Sequence, residues 1–212
     1  MPVNKMLLET YLKRLKMPQA AKTYESLARE AADNNLSYEE YLLGVLEQEV
    51  QQREYNRIQR GIRQAGFPVI KTLENFDFKA IPSLNKPKVL KLMQGEYIRN
   101  KENIILVGNS GVGKTHIAIA LGYEACRQGL RVKFYTAAGL INELLAAQQE
   151  YRLNRLEKQW LVPHLVILDE LGYVPFSKMG AELLFQFCAA RYERGSIIIT
   201  TNLEFPKWTE VL

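Results

Sequence analysis

Glycines, a lysine and a threonine lie between residues 108 and 115 at the spacing of a phosphate-binding loop. The segment fits the pattern G-x-x-x-x-G-K-[ST] and stands between an apolar run and a helical stretch, the context that the motif requires. Glycines let successive N–H groups turn inward around a phosphate, and the following helix points its unpaired amides at the same anion. The predicted nucleotide-binding residues are Gly108, Asn109, Ser110, Gly111, Val112, Gly113, Lys114, Thr115 and His116.

Two side chains of this loop would carry its chemistry. The Lys114 ammonium would neutralise the β- and γ-phosphates of a nucleotide, and the Thr115 hydroxyl would bind Mg²⁺. His116 stands one position past the loop at the start of the helix, and a structural role is favoured over a catalytic one. The other histidine, His164, receives no role.

Two adjacent carboxylates follow the apolar run Leu165–Leu168. Because ligands of open α/β sheets bind at the carboxyl ends of the strands, Asp169 is predicted to hold Mg²⁺, through water. Glu170 beside it can orient and deprotonate a water that attacks the γ-phosphate. This pair indicates ATP hydrolysis. The alternative is that Glu170 is an acid at the start of a helix, without chemistry.

A further apolar run, Ile197–Ile199, ends in Thr200, Thr201 and Asn202. In a strand beside the acid-bearing one, the Asn202 amide would lie near the γ-phosphate and position the attacking water. Asparagine is also common at turns after strands, so this assignment depends on the other two motifs. The predicted catalytic residues are Lys114, Glu170 and Asn202, and the predicted Mg²⁺ ligands are Thr115 and Asp169.

Two stripes of basic side chains are candidates for DNA contacts. Four arginines recur at i, i+4, i+7 and i+10, which places them on one helix face, and three basic residues lie between the apolar runs 132–135 and 165–168. Such stripes suit phosphate backbones, whereas a solvated helix face with local ion pairs is the simpler alternative. The candidates are Arg53, Arg57, Arg60, Arg63, Arg152, Arg155 and Lys158.

The composition is that of an ordinary globular protein with a moderate positive charge. Of 212 residues, 47% are hydrophobic and 24% charged, and the formal net charge is +5. No segment is a basic tail, so nucleic-acid binding would need clustering on one face. Cys126 and Cys188, far apart in apolar helical patterns, are expected to be buried reduced thiols. Without a signal-like N-terminus or a run of about 18 apolar residues, the sequence predicts a cytoplasmic protein with no membrane partner.

Hydrophobic periodicity divides the chain into three parts. Residues 1–66 show helical spacing only, with Ser37 and Glu40 as a capping box, and predict a small all-helical domain. Residues 67–87 form a connector. Residues 88–212 alternate short apolar runs with helical stretches, which predicts an α/β fold with a parallel sheet and helices on both faces. The predicted strands are residues 104–107, 132–135, 165–168 and 197–201.

The sequence resembles the IstB family, the ATPase helper subunits of an insertion-sequence transposition system. The resemblance covers essentially all 212 residues. The ATPase motifs alone would fit a wider group that holds the helicase loader DnaC and the initiator DnaA, whereas the N-terminal stretch and the connector favour IstB. The segments that carry the resemblance are Leu36–Leu43, Arg63–Phe78, Lys114–His116, Leu168–Tyr173, Arg191–Arg194 and Ile198–Asn202.

The resemblance implies a P-loop AAA+ fold and a DNA-stimulated ATPase that uses ATP and Mg²⁺. It also implies a homo-oligomer that forms with nucleotide on double-stranded DNA, without sequence preference, and works with a transposase. In this clade an extra helix before the acid-bearing strand can face DNA, and Arg152–Lys158 falls there. Thr72–Phe78 resembles the stretch that lies against the adenine in relatives.

The sequence departs from the AAA+ pattern at its end. An AAA+ module continues past the Asn-bearing strand into a helix, a fifth strand and a helical lid, which hold the arginine finger and the nucleotide-sensing residue. The sequence stops at Leu212, where Trp208–Leu212 begins that helix by its pattern. We therefore expect an incomplete module with strand 104–107 at an unprotected edge, and the resemblance does not imply turnover by these residues alone.

Three other functions share parts of the pattern. A DnaC-like helicase loader has the same ATPase motifs, but its partner is a replicative helicase. A nucleotide or small-molecule kinase needs an acceptor pocket and usually a basic lid, and the adjacent Asp169 and Glu170 argue against it. A GTPase would carry the guanine-reading Asn-Lys-x-Asp, whereas Asn202 is followed by Leu and Glu.

Overall fold

The computed structural model describes residues 4–173, 176–204 and 208. The chain forms two compact units, residues up to Gln59 and residues from Arg60 on, and the division falls within one long helix. Hydrophobic periodicity predicts a boundary at residue 66 and a separate connector. In the structure the connector residues belong to the second unit. The predicted helix at Trp208–Leu212 lies outside the described residues, except for Trp208.

The regular structure in the described part of the first unit is helical. Pro18 occupies the first turn of the second helix, where its missing N–H costs nothing. The predicted capping box is confirmed, since the Ser37 N–H donates to Glu40 Oε2 (2.7 Å) and the Glu40 N–H donates to Ser37 Oγ (3.2 Å). The buried side chains at the centre of the unit are Ala20, Tyr24 and Val45. The helices are α1 (Lys5–Arg14), α2 (Pro18–Asp33) and α3 (Tyr38–Ala65), of which α3 crosses the division.

A buried carboxylate stabilises the start of α2. Glu49 of α3 is 3% exposed and accepts the N–H groups of Gln19 (2.8 Å) and Ala20 (3.1 Å) and the Nε–H of Arg53 (2.8 Å). Met17, which precedes α2, has no oxygen in its side chain, so Glu49 caps the positive end of the helix in its place. Burial alone raises the pKa of Glu49, but the hydrogen bonds outweigh burial and hold this pKa below its ordinary value.

Among its described residues, the second unit contains a parallel sheet of four strands in the order β1-β4-β3-β2, with helices around it. The predicted α/β fold is confirmed. Within the described residues β1 lies at one edge of the sheet, with Ile105 45% and Val107 52% exposed. The strands are β1 (Ile104–Val107), β2 (Val132–Thr136), β3 (Leu165–Leu171) and β4 (Ser196–Thr201).

Apolar clusters cover both faces of the sheet, as predicted. Leu165 and Ile167 of β3 pack in a cluster with residues of α6, whereas Val166 and Leu168 pack in a second cluster with residues of α7 and α9. Successive residues of a strand point to opposite faces, so the two clusters lie on opposite sides of the sheet. The helices of this unit are α4 (Lys86–Leu92), α5 (Glu96–Arg99), α6 (Lys114–Arg127), α7 (Ala137–Gln149), α8 (Leu153–Trp160) and α9 (Lys178–Arg191).

A buried guanidinium forms hydrogen bonds to backbone carbonyls at the amino end of the sheet. Arg191, at the end of α9, is 1% exposed and donates to the backbone carbonyls of Trp160, Pro163 (3.1 Å) and Ser196 (3.1 Å). No carboxylate within the described ranges pairs with it, and burial lowers the pKa of Arg191 to about 10. Arg191 therefore links the segment before β3 to the start of β4. It belongs to Arg191–Arg194, one of the segments that carry the family resemblance.

The two cysteines are unpaired, and burial raises the pKa of each thiol to about 11. Cys126 is buried as predicted, whereas Cys188 is only partly buried because it lies at the margin of the second apolar cluster. Among the residues that the structure describes, no helix is both long and apolar enough to cross a membrane.

We predict that Glu49→Gln destabilises the first unit at neutral pH by roughly 1.5–3 kcal/mol, the usual worth of hydrogen bonds to a charged group. Because the folded-state pKa of Glu49 lies below its unfolded value, the stabilisation is present above about pH 4.5 and is lost as the pH falls further. Urea denaturation followed by circular dichroism should therefore show the two proteins converging in acid. Glu47→Gln, at an exposed position of α3, is the matched control. An equal gap at pH 7 and pH 3 would contradict the assignment.

Candidate active site

The loop between β1 and α6 has the backbone of a phosphate-binding loop. Gly111 and Gly113 each have a φ of +81°, in the left-handed region that favours glycine. Gly113 also precedes α6, and no side chain among the described residues caps that helix, so its first amides face the loop without a side-chain partner. The Gly108 N–H donates to the Thr201 carbonyl (3.2 Å), which fixes the loop to the end of β4. Such a concave run of amides suits an anion.

Lys114 folds back over this loop. Its Nζ donates to the carbonyls of Gly108 (2.8 Å) and Asn109 (2.7 Å). An ammonium has three N–H donors. Its hydrogen bonds to charged phosphate oxygens are about twice as strong as neutral ones, so a bound phosphate would replace these carbonyls as the partner of Lys114. The side chain is therefore already held over the loop where a phosphate would lie.

Asp169 lies where the sequence predicted, and it is 4% exposed. Its Oδ1 accepts the hydroxyl of Thr115 (2.8 Å), at the start of α6, and the hydroxyl of Thr200 (2.5 Å), near the end of β4. The two side chains predicted to bind Mg²⁺, Thr115 and Asp169, thus lie within hydrogen-bond distance of each other. The sequence prediction gave no role to Thr200, although a hydroxyl near the end of an otherwise apolar buried strand was a signal for one.

Glu170 is not the first residue of a helix. It lies within β3, is exposed, and has a φ of +62°, an uncommon value for any residue except glycine. The pairing of β3 with β4 shifts by one residue at this point, and the Glu170 N–H donates to Thr200 Oγ1 (2.9 Å) instead of to a strand carbonyl. The helix-start alternative is therefore wrong, and the role of Glu170 as a base stays a prediction.

Asn202 follows β4 directly and is exposed. Because β4 lies between β1 and β3, its carboxyl end stands between the phosphate loop and the Asp169–Glu170 pair. The strand order thus brings all three predicted motifs to one edge of the sheet. No hydrogen bond among the described residues uses the Asn202 amide, so its role in positioning water also stays a prediction.

The connector lies against the start of α6. His116 Nε2 is 2.7 Å from the Thr72 carbonyl, and its ring meets Phe76 edge to face at 5.1 Å between centroids. A Cβ on Gly113 would stand 2.6 Å from the Phe76 ring. These contacts agree with a structural role for His116, and they place part of Thr72–Phe78 next to the phosphate loop.

The donor set fits a magnesium ion that is shared with a nucleotide. Within residues 4–173, 176–204 and 208, no group of three His, Cys, Asp or Glu side chains could hold a metal by itself. Mg²⁺ in nucleotide sites is typically held by one or two protein oxygens together with phosphates and water. Thr115 and Asp169 supply one hydroxyl and one carboxylate at hydrogen-bond distance from each other.

The basic stripes are exposed, and local ion pairs engage part of each. On α3, Arg53 pairs with Glu49 and Arg57 with Glu54. Before α8, Arg152 pairs with Glu150. The basic candidates without an ion pair among the described residues are Arg60, Arg63, Arg155 and Lys158.

The fold and this site define a P-loop nucleotide-binding protein of the AAA+ type. Solved structures with this fold include AMPPCP-bound DnaA from Aquifex aeolicus, with a TM-score of 0.57 and 22% identity over 69% of this chain and 46% of that one. The DnaC helicase loader matches with a TM-score of 0.55 and 25% identity over 63% of this chain and 78% of that one.

The chain belongs to the family of IstB-like ATP-binding proteins, whose model matches residues 10–212. The resemblance seen in the sequence is therefore confirmed. A relative from Pseudomonas aeruginosa, named as an ATP-binding protein of insertion sequence IS21, is 42% identical over 96% of this chain and 77% of its own length. A relative from Geobacillus stearothermophilus, named likewise for IS5376, is 37% identical over 97% of this chain and 82% of its own length.

We predict that Gly113→Ala destabilises the second unit more than Gly111→Ala does. Both alanines would need a left-handed φ, at a cost of about 1–2 kcal/mol. Only at Gly113 would the new Cβ also collide with the Phe76 ring, which adds about 1–3 kcal/mol, whereas the space around Gly111 is open. Urea denaturation of both variants measures the difference, and adding Phe76→Ala should remove it. Equal losses for the two alanines would show that Phe76 does not pack on the loop.

Proposed function

We propose that the chain binds ATP with Mg²⁺, hydrolyses it, and uses this cycle to assemble on double-stranded DNA and deliver target DNA to a partner transposase. The observation that carries ATP binding and hydrolysis is the meeting of two motifs at one edge of the sheet. The Thr115 hydroxyl of the phosphate loop lies 2.8 Å from the Asp169 carboxylate, with Glu170 next in the chain.

In this proposal, the loop of residues 108–115 binds the phosphates. The amides around Gly111 and Gly113 and those at the start of α6 receive the phosphate oxygens. Lys114 exchanges two neutral carbonyls for phosphate oxygens and so gains charge-assisted hydrogen bonds. Thr115 and Asp169 would hold Mg²⁺, which when bound would neutralise the charge on the phosphates.

Hydrolysis is assigned to Glu170 and Asn202. The bulge in β3 leaves the Glu170 carboxylate exposed at the same edge of the sheet as the phosphate loop, while Asp169 stays buried. An exposed carboxylate on a fixed backbone can take a proton from a water aimed at the γ-phosphate. The Asn202 amide, at the end of the neighbouring strand, can hold that water in line.

Support for the role in transposition comes from the family. The relatives quoted above are named as ATP-binding proteins of insertion sequences. The exposed arginines of α3 and the basic residues of α8 offer contacts with DNA phosphates, and the family resemblance implies a homo-oligomer formed with nucleotide and DNA. The likeness to the DnaC helicase loader favours a second candidate, loading of a replicative helicase. A pull-down with a transposase and with a hexameric helicase as separate baits distinguishes the two.

We predict that Glu170→Gln slows ATP hydrolysis by roughly 100-fold or more, the scale of a positioned base, while ATP and Mg²⁺ still bind. The amide keeps the shape of the side chain but accepts no proton. Steady-state hydrolysis at saturating ATP and Mg²⁺, with duplex DNA present, gives the rate, and calorimetry gives the affinity. Lys114→Ala is the companion variant, and it should lose ATP binding itself. Turnover of Glu170→Gln near the wild-type rate would mean that water is activated elsewhere.

We also predict that reversing the unpaired basic residues weakens duplex binding equally for different sequences. Each lost phosphate contact should lower the slope of log affinity against log salt by about one. The variants are Arg155→Glu with Lys158→Glu on α8, and Arg60→Glu with Arg63→Glu on α3. Fluorescence anisotropy with two unrelated duplexes at several salt concentrations measures the slope.

The control for charge alone is Arg99→Glu with Lys101→Glu. Both residues are exposed and lie just before β1, at the end of the sheet opposite the phosphate loop. The control should leave the slope unchanged. An unaltered slope in both test variants would mean that the stripes are solvated helix faces and that DNA binds elsewhere on the protein.

A further inference from the structure

We propose that Thr200 is a positioning residue that couples the Mg²⁺-binding carboxylate to the backbone of the catalytic glutamate. The inference rests on the proposed function and extends it to a residue that no motif assigns. Thr200 is 1% exposed and cannot itself reach solvent-borne substrate, so it acts through its two neighbours.

One hydroxyl serves both neighbours at once. Thr200 Oγ1 donates its single hydrogen to Asp169 Oδ1 (2.5 Å) and accepts the Glu170 N–H (2.9 Å). A hydroxyl has one donor and two acceptor lone pairs, so these two bonds fix the direction of its hydrogen toward the carboxylate. A shift of Asp169 is therefore felt at the Glu170 backbone through one oxygen atom.

The strand register explains why the hydroxyl is needed. Leu168 pairs with Ile199 and Leu171 pairs with Thr201, so that Asp169 and Glu170 together face the single residue Thr200. A bulge of this kind leaves one amide without its usual strand acceptor. The Thr200 side chain supplies that acceptor, and it holds Glu170 at a φ of +62°.

The second donor to Asp169 has a different task. Thr115 also donates to Oδ1, but its oxygen is the one proposed to bind Mg²⁺ with the nucleotide. Thr200, in contrast, is part of the sheet. Among the described residues, its hydroxyl forms no hydrogen bond with the phosphate loop. It is therefore the contact that keeps Asp169 in place while Thr115 engages the ion.

The neighbouring Thr201 provides a matched comparison. It is also fully buried, but its hydroxyl donates to the Leu171 carbonyl (2.7 Å) and accepts the Leu203 N–H (3.0 Å), so it contacts backbone only. Thr200→Val and Thr201→Val each remove one buried hydroxyl from adjacent positions of β4. A purely structural role predicts similar consequences for both.

The test measures ATP affinity by calorimetry with Mg²⁺ and with EDTA for the wild type, Thr200→Val, Thr200→Ser and Thr201→Val. We expect Thr200→Val to keep its affinity in EDTA and to lose about 10-fold or more of the gain that Mg²⁺ brings, the scale for partners that orient a metal ligand. Thr200→Ser should restore the gain, and Thr201→Val should keep it. Hydrolysis rates should follow the same order.

The outcomes separate this inference from the proposed function. A wild-type chain that binds no ATP overturns both. A wild type with a Mg²⁺-dependent gain that Thr200→Val retains, or that Thr201→Val loses equally, overturns the role of Thr200 alone, as does a serine variant that behaves like valine. If Thr200→Val does not fold, Thr200→Ala and Thr201→Ala give the same comparison with smaller side chains.

Discussion

The buried carboxylate of Asp169 is the constraint on which the rest of the site depends. A charged group that is 4% exposed is costly unless donors or a cation surround it, and two hydroxyls supply that need. Thr115 comes from α6 and Thr200 from β4, so that one carboxylate on β3 joins three elements. Because the phosphate loop leads into α6, the hydrogen bond from Thr115 to Asp169 helps to hold the loop against the sheet, together with the bond from the Gly108 N–H to the Thr201 carbonyl.

At the opposite end of the sheet, the buried charged group is a cation, the Arg191 guanidinium. Arg191 is served by backbone carbonyls from the segment before β3 and from β4, with no carboxylate partner in the described part of the chain. Between the two ends, β3 and β4 are apolar on both faces. Polar side chains of these two strands are thus confined to their ends, and the carboxyl end lies at the edge of the sheet that also holds the phosphate loop.

The elements that the sequence predicted are those that local pattern and burial determine together. The phosphate loop follows from glycine spacing, and the strands follow from apolar runs that only a doubly covered sheet can bury. What escaped prediction are contacts across the fold. The left-handed backbone of Glu170 is bonded to Thr200 of another strand. Phe76 packs on Gly113 and His116, whereas the resemblance implied only that Thr72–Phe78 lies against the adenine. Hydrophobic periodicity in the sequence does not indicate such contacts.

The identity of residue 170 is best understood from its backbone. A left-handed conformation costs a residue with a side chain about 1–2 kcal/mol, and glycine would adopt it freely. Strain of this kind persists where the surroundings enforce it, and it gathers at functional sites. Here the Thr200 hydroxyl enforces the bulge, so glycine would be the residue that conformation alone selects. Glutamate is present instead, and its exposed side chain stands at the edge of the sheet that holds the phosphate loop, the location that the proposed role as a base requires.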